Sequence, residues 1–452
     1  MIKGPKQLLI TTSLIFISAV FLNAQIKSTG SISGKIIDTE AKALTKVSVT
    51  IEGPALQVQL FVASEKDGIF RFPQLPPGKG YTVHIEHPGY KTDIRKGFNI
   101  KAGKNIFLTI TLETSSTGEK VISSTHNPSV DLRTSKISLN FSKYLIRNIP
   151  MSRDLHDIIK AIPGSVSDEK SLNRSSSISG GTLSGNQYYL DGISFNDPIT
   201  MNPLTNINID VYEEVEMGIA GHQADTEIAD GGYINIITKS GGNDFQGNAL
   251  FEFFNQDMQK NLLSKDELEA VALEKPAGIN SQKDLSLSLG GAIWKGLAWY
   301  YLNTRYFNWT RDFNHINWNQ TQTYGEKYME IDEAPHSEFN LFGKLTTNPM
   351  PKLRITASYN LASISENFYA GQLKNYFDSS AISKQRHEIS HLLIGNVYYT
   401  MQKNFFLNAR VGYIYRVLPL RNGDNALAGE PRLYDRYYDV YTNNPPYQDI
   451  RT

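Results

Sequence analysis

Leu353-Arg354-Ile355-Thr356-Ala357-Ser358-Tyr359-Asn360-Leu361 alternates without a break: odd positions are apolar, even positions polar or small. Successive side chains on a strand point to opposite faces, so each set lines one side of a sheet. The pattern recurs around this stretch. Phe339, Leu341, Gly343 and Leu345 stand against Glu338, Asn340 and Lys344. Leu285, Leu287, Leu289, Gly291 and Ile293 stand against Asp284, Ser286 and Ser288. Phe405, Leu407, Ala409, Val411, Tyr413 and Tyr415 stand against Asn408, Arg410 and Arg416. Seven strands of roughly ten residues can be counted from about Asp244 onward.

Their connections are sorted by length. Lys295-Gly296, Asn348 to Lys352 and Gln402 to Asn404 are tight links, whereas 256–283, 310–336, 364–387 and 417–452 are long and polar. A transmembrane β-barrel has this reason to alternate, with short turns on one rim and long loops on the other. The apolar faces are assigned to lipid. Arg354, Arg410 and Lys344 amid Ser, Thr and Asn suit a wet, plugged interior better than an oily core. Bacterial single-chain barrels have an even strand count, and plugged outer-membrane transporters have about 22 strands. The expectation is therefore the first seven or so strands of an incomplete barrel, in a fragment or truncated product.

Composition agrees. The 452 residues suffice for about three domains. Lys plus Arg and Asp plus Glu are 45 each, which argues against a nucleic-acid partner because nothing is left over to neutralise phosphates. There is no cysteine, which excludes disulfides, thiolate metal sites and a lipidated N-terminal cysteine. Residues 1–24 read as a signal peptide: Lys3 and Lys6, an apolar run from Leu8 to Leu22, and Ala24 before a cut that leaves Gln25 first. That run is shorter than the ~20 residues a spanning helix needs.

Residues 30–113 read as a small β-sandwich. Val47-Ser48-Val49-Thr50-Ile51 alternates, Lys66-Asp67-Gly68 is a turn, and Phe107 to Leu112 closes the unit. Gly34-Lys35-Ile36-Ile37-Asp38, Asp67-Gly68-Ile69-Phe70, Leu75-Pro76-Pro77-Gly78 and Gly89-Tyr90 resemble the carboxypeptidase regulatory-like domain, a transthyretin-type sandwich. The resemblance implies no catalysis, and His84 and His87 read as surface histidines.

Residues 114–128 form a polar linker, and 129–243 a mixed α+β segment. Leu155 to Ile162 has helical spacing and stops at Pro163-Gly164. Pro163-Gly164-Ser165-Val166, then Tyr188-Tyr189-Leu190-Asp191-Gly192-Ile193-Ser194, then Asp197-Pro198 resemble the plug domain of TonB-dependent outer-membrane receptors. So do Glu213-Glu214-Val215-Glu216, Gly231-Gly232 with Tyr233 to Lys239, and Gly241-Gly242 with Gly247 at the entry to the barrel at 244–452. An N-terminal regulatory-like domain is similar to the Bacteroidetes-type and Oar-like receptors in particular. Within the linker, Glu119-Lys120-Val121-Ile122-Ser123-Ser124-Thr125 looks like a TonB box, with Lys120 and Ser123 where β-branched residues are common. The resemblance implies an outer-membrane protein with a periplasmic N-terminal domain, lipid around its barrel, the energy transducer TonB as partner, and uptake of an extracellular ligand. A surface lipoprotein is a further candidate partner. The alternative is an outer-membrane adhesion or assembly protein without active transport.

No catalytic, cofactor or metal site is expected. His387-Glu388-Ile389-Ser390-His391 matches the letters of a zinc-protease motif, but that chemistry needs a helix to bring the two histidines together. Here the surroundings read as a strand, which separates them by ~13 Å. Gly180 to Gly185 lacks the Lys-Ser/Thr ending of a phosphate loop. Asp191, Asp197, Asp210 and Asp230 fit no EF-hand spacing and are read as turn formers.

Overall fold

The structure, a computed structural model, describes residues 26–115, 120–124, 136–167, 176–222, 226, 230–260, 264–270, 273–275, 278–312, 315–316, 333–367, 376–377, 384–402, 405–422, 433–435, 440–442 and 448–451. The expected signal peptide at 1–24 lies outside the described residues. Two compact units emerge: Met1–Glu169 with Arg174–Asn202 and Glu213–Thr238, and Lys170–Asn173 with Pro203–Tyr212 and Lys239–Thr452.

The first unit opens with two sheets around one core. Ile69–Leu75, Gly30–Asp38 and Asn105–Leu112 form a three-stranded sheet in that order. Leu56–Ala63, Ser48–Gly53, Gly78–Glu86, Thr92–Ile100 and Lys120–Ser124 form a five-stranded one. Ile32, Ile36, Val49, Ile51, Val83, Ile85, Phe98 and Ile110 meet between them, fully buried, as alternation along each strand requires. The Tyr81 hydroxyl donates to the Pro76 carbonyl at 2.7 Å, tying the Pro-Pro-Gly turn to the core.

Two of these strands depart from the sequence reading. Thr92–Ile100 was not expected, because its period is broken. Asp93 and Ile94 are both buried, Lys96 and Gly97 exposed, and Phe98 buried again. Lys120–Ser124, read as part of a linker, is the outermost strand of the five-stranded sheet.

The rest of the first unit is a mixed sheet in the order Ile193–Ser194, Gln187–Leu190, Tyr233–Thr238, Tyr212–Ala220, Ile137–Ser142. Gln187–Leu190 and Tyr233–Thr238 are buried along their whole length and pair in parallel, so neither alternates. The expected helix forms as Leu155–Lys160. The Asp154 side chain accepts from the His156 N–H at its start, and Ile158 and Ile159 are its buried face. A second short helix, Lys143–Asn148, had no expectation attached to it.

The second unit is a meander. Gln246–Asn255, Gly278–Trp294, Ala298–Asp312, Glu333–Met350, Leu353–Asn367, Lys384–Gln402, Phe405–Asn422 and Gln448–Arg451 each pair with the next, all antiparallel. The sheet is open: its first and last strands are paired on one side only among the described residues. Six of the strands run 15 to 19 residues rather than ten, because pairing continues into segments expected as loop. An eighth strand, Gln448–Arg451, bonds to Val417–Leu420 inside the segment expected as the last loop. The long connections hold small elements of their own, such as the helix Lys265–Ala270 and a bridge of Leu273–Lys275 to His315–Ile316.

This wall is inside out relative to a water-soluble sheet. Leu285, Leu287, Leu289, Leu302, Leu345, Leu393 and Val411 are exposed, while Asp284, Ser286, Asn303, Asn340, Asn360 and Ser390 are buried. Exposed leucines in a contiguous band need an apolar surround, and a membrane supplies it. Trp294, Phe405 and Phe406 are exposed beside the short links, where aromatic side chains girdle a membrane interface.

Candidate functional site

On the buried side of the wall, the segment Pro203–Tyr212 is held by polar contacts throughout. The Asn208 amide donates to Asn303 Oδ1 at 2.8 Å and to the Ser286 hydroxyl at 3.2 Å. Asn206 donates to Glu338 at 2.6 Å, and the Thr205 and Ser390 hydroxyls are 2.7 Å apart. Asn360 reaches both Thr205 Oγ1 and the Asn206 carbonyl at 3.1 Å, and the Tyr301 hydroxyl donates to the Asp210 carbonyl. Small hydroxyl and amide side chains on the wall thus receive an irregular backbone. Such a backbone is tolerated at membrane depth only when its polar groups are satisfied.

The wall carries buried ion pairs at the same level. Arg305 forms a two-pronged bond to Asp284 at 2.9 and 2.6 Å, and Arg416 one to Glu388 at 3.0 and 3.1 Å. His387 and His391 lie on the strand Lys384–Gln402, so the zinc-protease letters have no helix behind them. Each has its own neighbour: His387 Nδ1 is 3.1 Å from the Ser365 hydroxyl, and His391 Nδ1 is 2.8 Å from the Tyr359 hydroxyl.

The residues expected as plug motif fall at turns and buried strands. Asp191 and Gly192, with φ of 48° and 84°, form the two-residue turn between Leu190 and Ile193. Both central residues of such a turn need positive φ, which is why Asp-Gly suits it. The Asp191 carboxylate also accepts from the Thr238 N–H at 3.0 Å and its hydroxyl at 2.6 Å. Tyr189 and Leu190 are buried next to it. Asp197 accepts from the Ile199 N–H at 2.8 Å, with Pro198 exposed at the bend. Pro163 and Gly164 are exposed after the helix, and Gly164 has φ of 80°. Gly231 and Gly232 are buried, with the Gly232 N–H bonded to Asn186 Oδ1. Asp230 accepts from the Thr182 hydroxyl, 48 residues away in sequence. Of the TonB-box candidates, Glu119 and Thr125 lie outside the described residues. Lys120, Val121, Ile122, Ser123 and Ser124 pair in parallel with Thr92 to Lys96.

The sequence reading missed a buried charge cluster in the first unit. The turn after Thr92–Ile100 meets the strand Tyr212–Ala220: the Ala102 N–H donates to Glu214 at 3.0 Å, and Asn140 donates to the same oxygen. Glu216 pairs with Lys136 at 2.8 Å, both side chains almost wholly buried, and the Lys136 ammonium lies 4.8 Å from the Tyr233 ring centre. Gly103, with φ of 68°, rests on this pair. A Cβ there would stand 2.9 Å from Glu216 Oε1, so no larger residue fits unchanged. Burial pushes the Glu214 carboxyl up to about 7, against the lowering effect of its two donors and with the Glu216 charge adding to the rise.

Because its folded value lies above the ordinary 4.5, Glu214 favours the folded unit below that pH and loses this advantage as pH rises through about 7. The expected outcome is a first unit less stable at pH 8 than at pH 5 by up to about 3 kcal/mol. Glu214→Gln should flatten that dependence. Calorimetric melting of both proteins across the range checks it, and a pH-independent wild type would contradict it.

Comparison with known proteins completes the picture. The carboxypeptidase regulatory-like domain family matches residues 31–113. The TonB-dependent transporter Oar of Myxococcus xanthus is 26% identical over 302 residues, which are 65% of this chain and 27% of that protein. The chain therefore spans about a quarter of the length of the curated relative it matches. Among solved structures, the outer membrane transporter YddB of Escherichia coli is similar at 13% identity, covering 63% of this chain and 39% of that one, with a TM-score of 0.48. The siderophore receptor PirA of Acinetobacter baumannii gives 14% identity, 70% and 43% coverage and a TM-score of 0.48. Taken together, these findings make residues 31–113 a carboxypeptidase regulatory-like domain and the chain a homologue, over 302 residues, of the TonB-dependent transporter Oar.

Proposed function

We propose that the protein takes up an extracellular ligand across the outer membrane using energy delivered by TonB. In this reading residues 1–24 direct export, 30–113 are a periplasmic sandwich, 114–128 carry the TonB box, 129–243 are the plug and 244–452 are wall. The observation that carries it is the polar seating of Pro203–Tyr212 on the wall's buried face. A wall that only anchored a surface protein would need no polar face fitted to another part of the chain. Hydrogen bonds among small polar groups contribute only about 0.5–1.5 kcal/mol each, so such a seat can be left and regained. The ligand, with or without a surface lipoprotein, would bind on the side of the long connections. TonB would act from the side of the short links by adding a strand to the box.

Val121→Pro tests this. Proline removes a main-chain donor from any added strand. Capture of the protein from solubilised outer membranes by the periplasmic domain of TonB should fall at least tenfold, with the amount in the membrane unchanged. Undiminished capture would reject energised uptake and leave adhesion or assembly as the role.

A further inference from the structure

We infer that the regulatory-like domain braces the strand through which a pull enters the plug: its turn 101–104 seals the buried bonds that hold this strand, and so sets the load at which the plug yields. The inference rests on the proposed reading, in which TonB draws on the chain ahead of the plug. That load passes along the chain to Lys136 and into Ile137–Ser142. This strand is the last in its sheet and pairs only with Tyr212–Ala220 among the described residues. An edge strand held by one row of main-chain bonds belongs to the readily opened part of a structure. Its resistance therefore depends on side chains.

Two side-chain ties act at this point. The Lys136 ammonium pairs with Glu216 at 2.8 Å, with 6% and 0% of the two side chains exposed. Asn140 donates to Glu214. Both carboxylates stand on Tyr212–Ala220, and the turn of the regulatory-like domain lies against them. The Ala102 N–H bonds to Glu214 at 3.0 Å, and a Cβ on Gly103 would stand 2.9 Å from Glu216 Oε1 and 3.0 Å from Lys136 Nζ. The turn thus helps to keep water from the pair. Separating a buried pair leaves an uncompensated charge, whereas water takes up both charges of an exposed one.

The turn is itself held down. The Gly103 N–H donates to the Thr29 carbonyl at 3.1 Å and the Ser31 N–H to the Lys104 carbonyl at 3.0 Å. The chain before Thr29 runs into the plug core. Ile26, 1% exposed, is buried with Tyr189 and Tyr233, and Asn235 donates to the Lys27 carbonyl at 3.1 Å. The domain therefore grips Gln187–Leu190 and Tyr233–Thr238 as well as the strand that carries the carboxylates. With this second hold the turn stays in place when Ile137–Ser142 is tugged, and the strand leaves only by breaking the sealed pair.

The chain has no cysteine, so Ser129→Cys supplies a single handle between the box and Lys136. The full chain, reconstituted in phosphatidylcholine bilayers, is drawn by this handle at constant force, and the time to the first yield is recorded. Lys136→Met should shorten that time about 100-fold, the lower cost of breaking a buried pair converted to a rate. Gly103→Val keeps both charges but forces the turn away, and should shorten it about tenfold. Gly103→Ala should fall between Gly103→Val and the wild type. Hydrogen exchange in Gly30–Asp38 and Tyr233–Thr238 shows that each variant is folded, and if valine is not tolerated the alanine variant decides. Wild-type times in the glycine variants would overturn the brace, even beside a fast Lys136→Met. The handle stands in for TonB, so absent capture by TonB would reject the box reading by itself, whatever these times.

Discussion

Arg305→Met should destabilise the wall by about 3–5 kcal/mol, the cost of stripping a buried charge of its partner. The guanidinium holds both Asp284 oxygens, and the two side chains are only 7% and 2% exposed. Its flat face lies 4.7 Å from the Phe307 ring centre, and the Glu338 and Asp210 carboxylates add further attraction. Methionine fills most of the volume but leaves the enclosed Asp284 carboxyl without its two bonds from Arg305. Lysine should rescue only in part, because an ammonium cannot make two parallel bonds to one carboxylate. Arg305→Met combined with Asp284→Asn should recover much of the loss, since removing both charges removes the unpaired one. Unfolding in detergent micelles followed by tryptophan fluorescence measures all four proteins. A single variant as stable as the wild type would mean that water reaches the pair and that the wall's inner face is open there.

Leu287→Arg should cost about 2–4 kcal/mol and lower the amount of protein assembled in the outer membrane, whereas Ile293→Arg should cost about 0–1 kcal/mol. Both residues are on the exposed side of Gly278–Trp294. Ile293 is one residue from Trp294, beside a short link, where an arginine can reach the headgroups. Leu287 is well inside the strand and pairs with Thr304 on the next one. The contrast between the two substitutions carries the argument, because a soluble sheet would tolerate arginine equally at two exposed positions. Equal, small effects would remove the membrane assignment of this face.

What could be read from the chain beforehand was whatever depends on neighbours in sequence. The period of two in Leu353 to Leu361 follows from strand geometry, so the wall, its lipid side and the sorting of its links were legible. Asp191-Gly192 announced its turn because positive φ is a property of the residues themselves. The strand status of His387 to His391 was legible for the same reason, and it disposed of the zinc reading. Strand ends were not, since pairing with a neighbour carried them well past the apolar pattern.

Tertiary structure alone decided what depends on distant partners. Glu214 looked like one acid in an acidic run. Its raised carboxyl arises from burial, against the lowering effect of a bond from the Ala102 N–H, 112 residues away. Asn360 and Thr205, 155 residues apart, gave no sign of meeting. The strand Thr92–Ile100 was hidden by its own broken alternation, and the edge that receives Lys120–Ser124 was hidden with it. Local sequence specifies which residues can be a strand. Which strand they pair with is a competition among all available edges, and that competition is settled only when the chain is folded.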